Sequence, residues 1–359
     1  MLDRDLSKVI FLIPSLDPDD KMPKYVKELI DNGVKHVLVI DDGSSIECQK
    51  FFNEVKQYNE VVLLKHDVNR GKGAALKTGF KYVLDNMPDI KVIVTADADG
   101  QHATDDTINV AIRTLETNQV VFGTRNFNEE IVPFKSRNGN KITTAVFKLL
   151  YGKLVNDTQT GLRGLPIDFI PECLLFKGDR FEYEIMMLIQ IVQDNRQIIE
   201  EPIKTIYYES NRATHFNTFK DSFRIYKVML STFIRFAGSG LLSALLDLGV
   251  YTLLINLIFT KLEINKAIML STIIARVISS IFNFSLNKTK VFDSKDNLSS
   301  TILKYYILAI IQMIASWLLV TFVFERLTIN TSIIKVFVDA VLFIVSYQIQ
   351  NRWVFRKQK

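Results

Sequence analysis

The pattern of apolar and polar positions changes near Lys227. Before it, short apolar runs alternate with amphipathic segments, and after it the apolar runs are several times longer. Residues 9–14, 37–40, 61–65, 91–96 and 120–123 are compact Val/Ile/Leu-rich runs and predict buried strands. Residues 23–32, 47–58 and 73–86 predict helices, the first stopped at Gly33. Strands alternating with helices predict an α/β domain with a mostly parallel, Rossmann-like sheet covered on both faces. Such sheets bind ligands beyond the carboxyl ends of their strands. Asp41-Asp42 and Asp97-Ala98-Asp99 both fall at such ends, so the two acidic clusters are expected to face one crevice.

The later runs, 233–259, 264–286, 305–324 and 332–349, approach or exceed the roughly 20 residues that span a bilayer. They predict an all-α domain of four transmembrane helices over 232–359, after an N-terminal domain over 1–215. Between them, Phe216, Phe219, Phe223, Tyr226 and Leu230 recur at helical spacing, with Lys220, Asp221, Arg224 and Lys227 opposite. That gives an amphipathic helix over 216–231, lying in the membrane interface or packed on the polar domain. Gly238, Gly240 and Gly249 allow close helix contacts in the first span. Asp247 and Arg276 form a candidate intramembrane pair, Asp339 is a second polar site, and Arg235 is placed to snorkel. Lys288, Lys290, Lys295 and Lys304 lie between spans two and three, and Arg352, Arg356, Lys357 and Lys359 follow span four. The positive-inside rule then puts the N-terminal domain and the C-terminus in the cytoplasm. No secretory signal precedes the first strand, which agrees. Asn283 to Phe292 and Tyr347 to Phe355 also read as a weak repeat closing spans two and four.

Composition supports this division. The 359 residues are 48% hydrophobic and 23% charged, with net charge +5. Mean hydropathy is +0.14. A basic excess suits nucleic acid or an anionic bilayer, and the apolar spans select the bilayer. Cys48 and Cys173 have neither disulfide-framework nor zinc spacing.

The chemistry concentrates at the strand ends. Asp97 and Asp99 leave a buried strand one residue apart. Two carboxylates in one pocket repel unless a cation sits between them, and Mg²⁺ or Mn²⁺ prefers such oxygen ligands. Gln101 adds an amide oxygen, and His102 is either a further ligand or a solvated loop residue. Asp41-Asp42-Gly43-Ser44 is either an ordinary turn or a carboxylate site for a base edge. Asn69-Arg70-Gly71-Lys72-Gly73 is a basic glycine-rich loop without Walker A spacing, and its amides and cations suit a diphosphate. Lys135, Arg137, Lys141, Arg212 and Lys220 are cations available to a second anionic group.

In chain order the sequence carries IP at 13–14, VIDDGS at 39–44, NRGKGAALKTGF at 69–80, TADADGQH at 95–102, GTR at 123–125, DTQTGLRG at 157–164 and FEYE at 181–184. Over roughly residues 7–230 this set resembles the family 2 glycosyltransferases of the GT-A fold. The subgroup is that of the polyprenyl-phosphate sugar transferases, including dolichol-phosphate mannosyltransferases and bactoprenol glucosyltransferases. The resemblance implies Asp97, Asp99 and Gln101 as ligands of a divalent metal, Mg²⁺ or Mn²⁺. It implies Pro14, Asp17, Asp41, Asp42, Arg70, Lys72, Thr160 and Glu182 at the nucleotide-sugar, with Asp97. It implies Asp99, Asp157, Gln159 and Arg212 in catalysis, and Arg137 and Arg212 at the acceptor phosphate. Arg163 occupies a neighbouring signature position. The family follows IP with a small residue and Tyr-Asn-Glu, whereas here Ser15-Leu16-Asp17-Pro18-Asp19 follows, leaving open which of Asp17 and Asp19 meets the nucleotide.

Residues 232–356 resemble the GtrA membrane proteins, which are associated with translocation of lipid-linked sugars. The implied activity is inverting transfer from a nucleotide-sugar, UDP-linked by resemblance to the bacterial branch, to polyprenyl phosphate. The implied setting is the cytoplasmic face of a bacterial plasma membrane, in cell-envelope glycosylation. A homo-oligomer and a downstream glycosyltransferase are the implied protein partners, with no nucleic acid. The alternative is a translocation module to which the soluble domain presents the lipid-linked sugar. A processive synthase is disfavoured, because Arg352-Trp353 follows the last span and Gln348 lies on the wrong element for a QxxRW motif.

Overall fold

The computed structural model describes residues 5–128, 132, 134–204, 206, 218–327 and 330–355. The chain forms two compact units, Met1–Met229 and Leu230–Lys359.

In the first unit the elements follow in the order β1 (Val9–Ser15), α1 (Lys21–Asp31), β2 (Val37–Asp41), α2 (Gln49–Val55), β3 (Val61–Lys65), α3 (Lys72–Asn86), β4 (Val92–Thr95), α4 (Thr104–Thr117), β5 (Val120–Arg125), α5 (Phe134–Tyr151), β6 (Arg163–Pro166), α6 (Ile170–Cys173), α7 (Glu182–Gln193) and β7 (Ile198–Ile203). The sheet order is β3-β2-β1-β4-β6-β5-β7. Only β6 runs antiparallel to its neighbours, β4 and β5. The first five strands lie where the apolar runs predict them, while β6 and β7 are additional. Buried Val9, Phe11, Ile13, Val37, Val39, Val92 and Val94 form one core with α1 and α4. The alternate positions, Ile10, Leu12, Leu38, Ile40 and Ile93, are buried on the opposite face, and burial on both faces is what holds parallel strands together.

Register aligns the functional end. Ser15 of β1 pairs with Asp41 of β2, and Leu12 pairs with Thr95 of β4. Asp42 and Asp97 therefore both emerge at the carboxyl edge, from β2 and β4, the two strands that flank β1.

Helix α8 (Thr218–Leu253) is continuous for 36 residues. The predicted interface helix and first span are thus one element, as expected of a stretch with neither proline nor glycine before Gly238. Its first turns pack on α5: Ile225 and Met229 are buried, and the Tyr151 hydroxyl donates to the Met229 carbonyl at 2.9 Å. Phe223 faces outward and is 69% exposed.

In the second unit α9 (Ile264–Leu286), α10 (Leu298–Phe324) and α11 (Thr331–Ile349) join α8. All four helices are long and apolar enough to cross a membrane. Turns of π-helix extend α9 to Val291 and α11 to Val354. These are the two repeat segments, and they meet. Phe292 stacks on Phe355 at 5.1 Å, and Asn287 Nδ2 donates to Gln350 Oε1 at 3.1 Å. The contact pairs Asn287 with Gln350, where the sequence repeat aligned it with Asn351. Asn287 also accepts from Ser239 and donates to Asn283, while Gln350 donates to Ser346. A buried polar chain thereby ties α8, α9 and α11. Arg276 lies 3.6 Å from Asp247, whose other oxygen accepts from Ser279. Asp339 pairs with Lys335 at 2.8 Å and accepts from Ser316.

Asn287→Leu strands Ser239, Asn283 and Gln350 in an apolar interior. It is expected to cost about 1–3 kcal/mol, read as a lower unfolding midpoint in detergent micelles. Phe337→Leu, at a 70% exposed position, leaves that midpoint unchanged.

Candidate functional site

The site is built around a lysine. Lys72 is the first residue of α3, and its ammonium lies 2.6 Å from Asp97 Oδ1 and 2.9 Å from Glu184 Oε2. Asp97 follows β4, and Glu184 lies in the first turn of α7. Burial alone disfavours both the Lys72 and the Asp97 charge, yet the pair hold each other ionised. Asp97 is pulled well below the usual carboxylate range, burial being outweighed by Lys72 with help from His102. Lys72 is pushed up, burial being outweighed by Asp97 and Glu184.

The loop preceding Lys72 is fixed by Asp42. Its carboxylate accepts from the amides of Arg70 and Gly71 at 3.0 and 2.7 Å, and His66 Nδ1 lies 2.6 Å away. The other ring nitrogen of His66 lies 2.9 Å from Thr78 on α3. The amides of Arg70 and Gly71 are thus turned inward onto Asp42. The glycines serve packing. A Cβ at Gly71 or Gly73 would come within 2.4 Å of the Asp179 carbonyl or 2.6 Å of Tyr183 Cβ.

Several other predicted residues are likewise committed within the protein. Asp41 is 1% exposed and accepts from the Ser44 amide and from Gln49 Nε2. Asp157 is fully buried and grips Arg125 in a bidentate pair, at 2.6 and 3.1 Å. Both Asp157 oxygens are thus engaged by Arg125. Thr160 donates to the Gly123 carbonyl, and Arg163 is buried against Phe122 with bonds to the Thr160 and Glu184 carbonyls. Glu182 accepts from the amides of Asp179 and Arg180, closing the turn before α7.

Asp17, at φ +40°, accepts from the Ser45 amide at 2.7 Å and so borders the Asp41-Asp42 turn. Asp19 is bound to Lys21 of α1 instead. Pro14 is half-buried at the end of β1, and Gln159 is exposed. Arg137 is half-buried on α5, Lys141 is exposed, and Arg212 lies outside the described residues.

Asp99 is the carboxylate best suited to a metal. Burial and the neighbouring Asp97 charge both push its pKa up, and the Gln101 amide donates to its Oδ1 at 3.1 Å. Among the described residues no three His, Cys, Asp or Glu side chains gather as a complete metal cage. Two hard oxygen donors on one turn fit a divalent ion that completes its shell with substrate phosphates and water.

Two residues were missed by sequence reasoning. Glu184 stands in the quoted FEYE segment, but only Glu182 was singled out there. Gly161 ends the DTQTG segment, and a Cβ on it would come 2.3 Å from Asp97 Oδ2. Thr95 on β4 holds the Gly161 carbonyl at 2.9 Å, so the backbone cannot easily yield. Gly161→Ala is therefore expected to displace Asp97 and weaken Mn²⁺ binding by about tenfold or more, measured by titration of the purified chain. Gly139→Ala, with open space around it, leaves Mn²⁺ binding unchanged.

Residues 11–168 match the family described as Glycosyl transferase family 2, and residues 235–355 match the GtrA/DPMS transmembrane domain. An uncharacterized protein of Methanocaldococcus jannaschii is 31% identical over 226 residues, which is 61% of this chain and 90% of that protein. The UDP-N-acetylglucosamine–dolichyl-phosphate N-acetylglucosaminyltransferase of Methanococcus voltae is 31% identical over 227 residues, which is 57% of this chain and 89% of that protein. In fold, mannosyl-3-phosphoglycerate synthase from Rubrobacter xylanophilus superposes with TM-score 0.50 at 14% identity, covering 66% of this chain and 76% of that one. With acids at the ends of β2 and β4 of a GT-A sheet, and relatives matched over nine-tenths of their length, the chain belongs to the family 2 glycosyltransferases and carries a GtrA/DPMS-type transmembrane domain.

Proposed function

We propose that this glycosyltransferase moves a hexosyl or N-acetylhexosaminyl group from a UDP-sugar to polyprenyl phosphate, with inversion. The reaction takes place at the cytoplasmic face of the plasma membrane, bacterial by the sequence resemblance. The observation that carries the reading is the Asp97–Asp99 turn after β4, in a chain that also bears four apolar helices. The dolichyl-phosphate acceptor in the name of the Methanococcus voltae relative agrees with it. The basic connections at Lys288–Lys304 and after Val354 support the orientation.

A divalent ion held by Asp97, Asp99 and Gln101 would supply positive charge to the leaving nucleoside diphosphate. The protein's own residues do the rest. The nucleoside is received beside the turn that Asp41 and Asp42 shape, with Asp17 at its border. Arg125, fixed by Asp157, and exposed Gln159 face the sugar. A phosphate monoester is anionic near neutral pH, so the acceptor attacks the anomeric carbon without a strong base. Arg137 and Arg212 then have the task of holding two anions close together.

The test is release of UDP by the detergent-solubilised chain, using a panel of UDP-sugars with undecaprenyl phosphate. One donor is expected to turn over, and chelation by EDTA to stop it. Asp97→Asn and Asp99→Asn are each expected to lower kcat by about 10²-fold or more. Full turnover by both variants would show that these acids hold nothing that the reaction needs.

A further inference from the structure

Lys72 is tied to two carboxylates, and one of them belongs to the acid pair read above as holding the metal. The ammonium, the Asp97 carboxylate and the Glu184 carboxylate are 15%, 32% and 10% exposed, so water shields their charges poorly. A divalent ion approaching Asp97 meets an oxygen already engaged by a cation at 2.6 Å. The two cations repel, and they compete for the same lone pairs. The Lys72 backbone is anchored, since the preceding amides are held by Asp42. Its side chain has four methylene groups and swings without moving that backbone.

We propose that Lys72 is a resident counter-ion that keeps Asp97 neutralised while the site is empty, yields it when metal and donor enter together, and then binds the donor's diphosphate. The idea rests on the metal and donor reading above, and adds an order to it. Metal binding to the empty enzyme is opposed by Lys72. Once a nucleoside diphosphate supplies new negative charge, Lys72 has a second partner and Asp97 is released. Nucleotide and metal must then strengthen each other's binding by the same factor. Glu184, 2.9 Å from the same ammonium, sets the resting position.

The experiment measures Mn²⁺ binding by the loss of the free-ion electron paramagnetic resonance signal. It uses the full-length chain in detergent, with and without UDP. Lys72→Met removes the counter-ion. Lys72→Met/Glu184→Gln removes it without changing net charge, which guards against misfolding and against a trivial charge effect. Thermal unfolding confirms that each variant is folded. Without UDP, the double variant is expected to bind Mn²⁺ about tenfold or more tightly than the wild type, and Lys72→Arg to stay close to the wild type. Adding UDP is expected to strengthen Mn²⁺ binding far more in the wild type than in the double variant. Equal or weaker Mn²⁺ binding by the double variant without UDP overturns the proposal. Failure of the wild type to bind Mn²⁺ even with UDP removes the metal reading itself, a different result in a different sample.

Discussion

A buried positive charge needs at least one buried negative partner, and that constraint organises the catalytic unit. Lys72 meets it with Asp97 and Glu184, side chains brought from β4 and α7 to the head of α3. Removing one partner of such a group costs several kcal/mol because the other is left charged and unsolvated. The supporting parts follow from it. Asp42 fixes the loop that aims Lys72, His66 and Thr78 brace Asp42, and Gly161 leaves room for Asp97 because it has no side chain. Asp42, His66, Thr78 and Gly161 are thus parts of one assembly with Lys72, Asp97 and Glu184.

That explains how far the sequence could be read. The first five strands were legible because each is an apolar run ended by a polar turn. Strand β6, Arg-Gly-Leu-Pro, has no such run and owes its place to pairing between β4 and β5. Strand β7 alternates too weakly, with Glu200 and Glu201 in its middle. Asp97 and Asp99 were legible from their position after a buried strand. The inward roles of Asp42, Asp157 and Thr160 were not, since a motif marks that a residue matters without showing which way it points. Glu184 was hidden because its partner is distant in sequence, and Gly161 because its need for no Cβ is set by Asp97.

In the membrane unit, hydropathy alone located four spans, and charge alone suggested the Asp247–Arg276 pair. The uncharged network was less visible. Asn283, Asn287, Ser346 and Gln350 are individually tolerable in an apolar helix, and only the packed bundle shows them completing one another. Interhelical hydrogen bonds of this kind give register where lipid and side chain are equally apolar. The repeat endings mark the same feature, two π-helical turns whose phenylalanines stack.

The central claim is that the turn after β4 holds the cation against which the donor's diphosphate leaves. Crystals of the full-length chain grown with Mn²⁺ and UDP, measured at the manganese absorption edge, address it directly. The account predicts one anomalous peak roughly 2 Å from carboxylate oxygens of Asp97 or Asp99 and from the diphosphate, with Lys72 withdrawn from Asp97. A peak elsewhere, or UDP bound with Lys72 still clamped between Asp97 and Glu184 and no manganese beside them, would contradict it.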